Sequence, residues 1–207
     1  MIRNRQGICM ETLKKELESK GYKVYSAMSK EQARQILLHD LEDVQTIGIG
    51  GSMSVQELDI VDALKESGKQ IYWHWLPTEN GLDARKMAAA ADVYLASANA
   101  ITQDGKLLFI DGTGNRTAAV AYGPKRVILI IGKNKLTEDV TSGFARVRKE
   151  ACPLNAKRLK LQTPCALTGK CTGCTSPQRM CNVFLTLERC PDAHPVEIIL
   201  VEESVGY

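Results

Sequence analysis

Apolar and polar positions alternate along this chain in the manner of an α/β protein, with short apolar runs separated by stretches of helical period. Over residues 5–20, Cys9, Leu13 and Leu17 recur four apart, Lys14, Lys15, Glu18 and Lys20 fall elsewhere, and Gly21 follows as a stop. This spacing predicts an amphipathic helix with Cys9 as a small core residue. Residues 22–27 read as a short strand, and Ser29 caps a helix carrying Ala33, Ile36 and Leu37. Further strands are predicted over 46–50, 70–75 and 92–96. They alternate with a helix over 54–67, where Val55, Leu58, Val61 and Leu64 recur three apart, and an alanine-rich helix over 82–91.

The pattern then changes. Apolar runs at 100–102 and 106–110 flank Gln103, Asp104 and Gly105, and an Asp-Gly pair between such runs predicts an antiparallel hairpin. Residues 126–131 are the most apolar run and predict a central strand buried on both faces. Leu136, Val140, Phe144, Val147 and Ala151 recur at helical spacing up to Pro153, which is expected to end that helix, and residues 196–201 form a last strand. Strands alternating with helices predict an α/β fold: an open, mostly parallel sheet with helices on both faces.

At 207 residues the chain suits one domain with a full core, expected over 1–207. A formal net charge of +3 supplies no general attraction to nucleic acid or anionic lipid, so the expected partner is small. The first residues lack the apolar core of a signal peptide, and no run approaches the roughly 18 apolar residues of a membrane span, so a cytoplasmic protein is expected. In that reducing setting, seven cysteines point to thiolate chemistry or metal ligation rather than disulfides.

Four of those cysteines, Cys165, Cys171, Cys174 and Cys181, fall within the loop 163–182 among Gly and Pro residues. Zinc sites usually pair two Cys-x-x-Cys knuckles over a longer stretch. Here only Cys171 and Cys174 form a knuckle, so the spacing favours an iron–sulfur cluster of the 4Fe–4S type. Zinc is the alternative, and redox-active thiols a further one. Cys152 and Cys190 flank the loop and are read as structural.

Open α/β sheets bind ligands beyond the carboxyl ends of their strands. The loop holding Gly50, Gly51, Ser52 and Met53 lies between a strand and a helix, where free amides attract an anion. Met53 occupies the place of the third glycine, so the loop is not a dinucleotide fingerprint. Ser54 and Glu57 fit a capping box, and Glu57 is also a candidate catalytic carboxylate. Asn99, Asp111, Gly112, Gly114, Asn115 and Arg116 gather amide, carboxylate and guanidinium groups beside glycines. They can make turns, or they can bind, with Arg116 clamping a carboxylate or phosphate and Asp111 a second catalytic candidate. Trp73, His74 and Trp75 read as a strand packed on one face, His74 being structural, with His39 and His194 in solvent-facing turns.

Five motifs in order resemble the lactate-utilisation (LUD) domain family: Ile49-Gly50-Gly51-Ser52-Met53-Ser54, residues 97–105 from Ser97 to Gly105, Asp111-Gly112-Thr113-Gly114-Asn115-Arg116, Tyr122-Gly123-Pro124-Lys125 and Gly132-Lys133-Asn134-Lys135. The run 165–182 and the terminal Gly206-Tyr207 resemble the subgroup with a cysteine-rich C-terminal motif. The resemblance covers nearly the whole chain. It implies a fold similar to the superfamily of ribose-phosphate isomerases, glucosamine-phosphate deaminases and CoA-transferases. It also implies a role associated with lactate oxidation beside iron–sulfur partner proteins, and it supplies no known catalytic residue.

Two functions follow as expectations. In the first, an iron–sulfur redox enzyme or accessory subunit acts on a small carboxylate such as lactate. In the second, a relative of sugar-phosphate isomerases or lyases holds a phosphate in its glycine loops, moves a proton with Asp111 or Glu57 and keeps a structural metal. A metabolite-sensing module is a third reading, and a homo-oligomer is compatible with each.

Overall fold

The computed structural model describes residues 9–77 and 83–207. Its main sheet has six strands, all parallel: β1 (Lys23–Ala27), β2 (Thr46–Ile49), β3 (Gln70–Trp73), β4 (Val93–Ala96), β7 (Arg126–Gly132) and β10 (Val196–Val201), in the order β1-β10-β7-β4-β2-β3. The last strand of the chain thus enters between the first and the seventh. The sheet is open and covered on both faces, as the alternation of apolar runs and helical segments predicts.

Strand β7 explains the central position expected of it. Val127, Leu129 and Ile131 project into one core, and Ile128 and Ile130 into the other. Each such side chain fully withdrawn from water contributes about 1.5–3 kcal/mol, so a strand apolar at five successive positions, Val127 to Ile131, is stable only in the middle of the sheet. One face is packed by α1 (Met10–Ser19), α5 (Ala84–Ala89) and α6 (Asn115–Ala121) through Leu13, Leu17, Ala88, Ala119 and Val120. The opposite face is packed by α2 (Lys30–Asp40), α3 (Met53–Gln56) and α4 (Val61–Glu66) through Ala33, Leu37, Val55 and Leu64.

A second sheet has four strands, in the order β8-β5-β6-β9: β5 (Ala100–Thr102), β6 (Leu107–Asp111), β8 (Leu136–Thr137) and β9 (Val183–Leu187). Strands β5 and β6 form the expected antiparallel hairpin, with Gly105 at φ +75° in its turn. Leu107 and Phe109 face the core of the main sheet, while Leu108 and Ile110 face Val147, Ala151 and Cys152 on a long C-terminal helix. Strands β8 and β9 are not evident from the periodicity.

Several expectations need correction. The helix over 54–67 is two helices, α3 and α4, separated at Asp59, whose φ is +48°. Leu58 and Ile60 are both buried, and positions two apart point to different sides of a continuous helix, so the break brings both to the core. Pro153 does not end its helix: α7 (Val140–Arg146) passes through a π-helical turn, Val147–Ala151, into α8 (Cys152–Arg158). A proline lacks an amide proton and crowds the carbonyl four residues earlier, and a wide turn just before it relieves that crowding. Cys9 is the exposed N-cap of α1, because the helix starts only at Met10; residues 5–8 of the expected helix, and Leu82 of another, lie outside the described residues. His194 is buried, its segment drawn in where the Pro195 carbonyl accepts from Val127 N at 3.0 Å, whereas His39 is exposed in the last turn of α2.

Candidate functional site

Because β2, β3, β4 and β7 run parallel, the loops leaving their carboxyl ends converge at one edge of the sheet. There, between the two sheets and the α7–α8 helix, lies a cavity of about 340 Å³. Of the substrate-binding candidates, Gly51, Ser52, Met53, Asn99, Gly112, Asn115 and Arg116 line it, as does Asp111. Gly50 and Gly114 lie behind the wall. Gly50 backs onto Arg116, and Gly114 is the left-handed N-cap of α6 at φ +86°.

The capping box assigned to Ser54 and Glu57 is not formed. Ser52 is the N-cap, its Oγ accepting from Val55 N at 3.3 Å, while Glu57 stands outside the cavity lining and pairs with Lys30 at 3.3 Å. Ser54 instead points inward, its Oγ accepting from Lys135 Nζ at 2.6 Å.

Asp111 closes the start of α6. Its Oδ2 accepts from the amides of Arg116 at 2.8 Å and Thr117 at 3.2 Å, and its Oδ1 from Gly112 N at 2.8 Å. A carboxylate here suits the free amides and the positive end of the helix. Arg116 is itself nearly buried. Its guanidinium donates to the carbonyls of Ile110 at 2.6 Å and Ser97 at 3.3 Å and to Asn99 Oδ1 at 3.3 Å. Among the described residues, the hydrogen-bond partners of the guanidinium are all neutral.

Residues missed in the sequence complete the wall: His74, Trp75, Arg85, Lys135, Cys152, Asn155, Arg158 and Tyr207. Strand β3 stops at Trp73, so His74 and Trp75 belong to the loop and line the cavity, Trp75 also packing against the core of the main sheet. Burial first, then the charge of Arg85 and, more weakly, those of Arg158 and Arg116, lower the pKa of His74 against the opposing Asp111 carboxylate, which favours the neutral imidazole. Arg158 lies 4.4 Å over the Trp75 ring and donates to Asn155 Oδ1 at 2.8 Å and Tyr207 Oη at 3.0 Å. Lys135 is 2% exposed; burial, with Arg146 and Arg116 nearby, brings its pKa down to about 7. The Gly132-Lys133-Asn134-Lys135 motif is the one sequence signal that marks it.

The cysteine loop docks on this site at one end. Asn182 N donates to the Asp111 carbonyl at 2.9 Å and Asn182 Nδ2 to that of Gly112 at 3.1 Å, and Met180 lines the cavity. Arg179 ties the loop together by donating to the carbonyls of Cys174 at 2.9 Å and Cys181 at 3.0 Å. Cys165 sits in the short helix α9 (Pro164–Thr168). The buried thiol of Cys152 is pushed up to about 12, by burial first and then by the proximity of Cys181, Cys171 and Cys165. Four half-buried thiols have the right chemistry for a thiophilic metal or cluster. Among the described residues, however, no three His, Cys, Asp or Glu side chains stand together as a metal-holding group. The four thiols match such a group in donor type.

Fold and site together define a two-sheet α/β protein with a cavity lined by arginine and lysine side chains at the carboxyl edge of its parallel sheet. The LUD domain model matches residues 10–201, and the chain belongs to this family, which is associated with lactate utilisation. A similar fold is seen in the 1.70 Å crystal structure of a DUF162 family protein from Deinococcus radiodurans, with a TM-score of 0.52 and 12% sequence identity over 93% of this chain and 95% of the other. No curated protein matches the sequence. Among the described residues, no helix is long and apolar enough to cross a membrane.

Proposed function

We propose that this LUD domain protein binds a small carboxylate, of the size of lactate, in the pocket at the sheet edge and serves its oxidation as a redox enzyme or accessory subunit. One observation carries the reading. Arg85, Arg116 and Arg158 line the cavity, whereas the only carboxylate side chain lining it among the described residues, Asp111, is committed to backbone amides. Such a site attracts an anion, and its volume leaves ample room for a small acid. In this reading Arg158, 4.4 Å over the Trp75 ring, meets the carboxylate, and the imidazole of His74 exchanges a proton with a hydroxyl.

The cysteine loop enters the same proposal as the holder of a 4Fe–4S cluster, with zinc as the alternative, on the strength of its donor chemistry. A bound cluster would supply electron transfer to iron–sulfur partner proteins.

Thermal unfolding with and without ligand tests the pocket. Lactate or pyruvate is expected to raise the Tm of the wild type and to do so weakly or not at all in Arg158→Gln. Stabilisation by sugar phosphates alone would favour the isomerase or lyase reading, and no shift with any of these anions overturns the pocket assignment.

A further inference from the structure

Lys135 follows β7 at the end of a short 3-10 turn, Lys133–Lys135, and its side chain reaches the cavity wall. Its Nζ stands 2.6 Å from Ser54 Oγ and 2.6 Å from Ser97 Oγ. Both hydroxyls have already placed their own protons, Ser54 on the Val205 carbonyl at 3.1 Å and Ser97 on the Ala98 carbonyl at 3.0 Å. Each can therefore only accept from the lysine. The amine spends two N–H bonds on them and, among the described residues, keeps one position on nitrogen uncommitted.

The charge state follows from the same surroundings. Among the described residues no carboxylate forms an ion pair with Lys135. Burial opposes the ammonium most, the guanidinium groups of Arg146 and Arg116 add to the opposition, and Glu57 acts the other way. Two neutral hydroxyls suit an amine as well as an ammonium, and the remaining position on a neutral amine is its lone pair. A surface lysine is a poor nucleophile because it is protonated; a desolvated lysine beside other cations is the activated form.

We propose that Lys135 forms an imine with the keto group of a small 2-oxo acid held in the cavity. The inference rests on the reading of the pocket as a small-carboxylate site. A 2-oxo acid carries both features the site addresses: a carboxylate for the arginines and a ketone for the amine. It is also the oxidation product of a 2-hydroxy acid. In the step, the amine nitrogen bonds to the carbonyl carbon and gives a carbinolamine. Loss of the former carbonyl oxygen with both amine protons, as water, leaves the C=N bond. No electrons are gained or lost, so no oxidant or reductant is required.

Borohydride trapping tests this directly. Wild-type protein is incubated with pyruvate, reduced with sodium borohydride and analysed by intact mass and peptide mapping. One reduced pyruvyl adduct, located on Lys135, is expected. Trapping should rise through a midpoint near pH 7, following deprotonation of Lys135, whereas exposed lysines need far more alkaline solution. Lys135→Met, checked for folding by circular dichroism, should lose the adduct. Should that variant fail to fold, Ser54→Ala, which keeps the amine and removes one of its anchors, should be trapped more slowly than wild type. Adducts spread over surface lysines, or unchanged in Lys135→Met, overturn the proposal. Pyruvate stabilisation without any adduct overturns the imine and leaves the carboxylate pocket standing; absence of both effects removes the pocket reading as well.

Discussion

Gly50 stands so close to Arg116 that a Cβ there would lie 2.9 Å from Arg116 Cγ and 2.8 Å from the Tyr94 hydroxyl. The backbone at this point cannot retreat, since Gly50 N donates to the Leu95 carbonyl at 2.9 Å and its own carbonyl accepts from Trp73 Nε1 at 3.0 Å. Gly50→Ala must therefore displace Arg116. We expect a loss of roughly 1–3 kcal/mol in urea unfolding, the usual cost of overpacking, and loss of the lactate-induced rise in Tm. At Gly51 the nearest atom to an added Cβ is His74 Cε1 at 3.4 Å, an ordinary contact. Gly51→Ala is thus expected to cost less stability while narrowing the cavity.

Asp111 serves two amides of α6 and one of its own loop, so its structural role can be separated from a catalytic one. Asp111→Ala should cost about 1–2 kcal/mol, the range for losing a helix cap. Asp111→Asn should fall between, because one oxygen still faces the amides while the amide nitrogen faces a donor. A loss of turnover in Asp111→Asn much larger than its loss of stability would instead assign the carboxylate a proton-transfer role.

The main sheet was legible because its strands are apolar at every or every second position, most clearly in β7 and β10. Strand β9 was not, because it lies at the edge of the second sheet with Val183 and Phe184 exposed and directly follows the cysteine loop. The glycine-flanked parts of the pocket could be read locally, since glycines between a strand and a helix have few other uses. Lys135, Arg158 and Tyr207 could not. They come from a turn after β7, the end of α8 and the C-terminus, and only the parallel order of the strands and the continuation of the helix past Pro153 bring them together. His74 was misread because the apolar run 70–75 is longer than the strand it forms.

Lys135 makes stability depend on pH. Its pKa is near 7 in the folded protein and 10.5 in an ordinary lysine, so between these values the unfolded chain binds more protons than the folded one. Unfolding free energy then rises with pH: the penalty for the buried amine is fully present below about pH 7 and is relieved towards pH 10.5. Measured against Lys135→Met, which lacks this group, the wild type should gain about 2 kcal/mol between roughly pH 7 and pH 9. Parallel curves for the two proteins would place the pKa of Lys135 at its ordinary value.

The cysteine loop makes a prediction independent of the pocket's substrate. Its backbone is fixed by Arg179 at Cys174 and Cys181 and by Asn182 on the Asp111 loop, so a metal bound to the thiols would close a segment already anchored at one end. Protein purified without oxygen is expected to contain iron and acid-labile sulfide in equal amounts and to absorb near roughly 400 nm. Cys171→Ser should lose both. Cys152→Ser, outside the loop and in the helix wall, should keep them, although its thiol lies near three of the loop cysteines. One zinc per chain without sulfide would replace the cluster with the alternative metal. Retention of metal in Cys171→Ser would move the centre away from the loop altogether. If the loop does hold the metal, chelation should speed proteolysis within residues 165–181 and weaken lactate stabilisation, because Met180 and Asn182 couple that loop to the pocket rim.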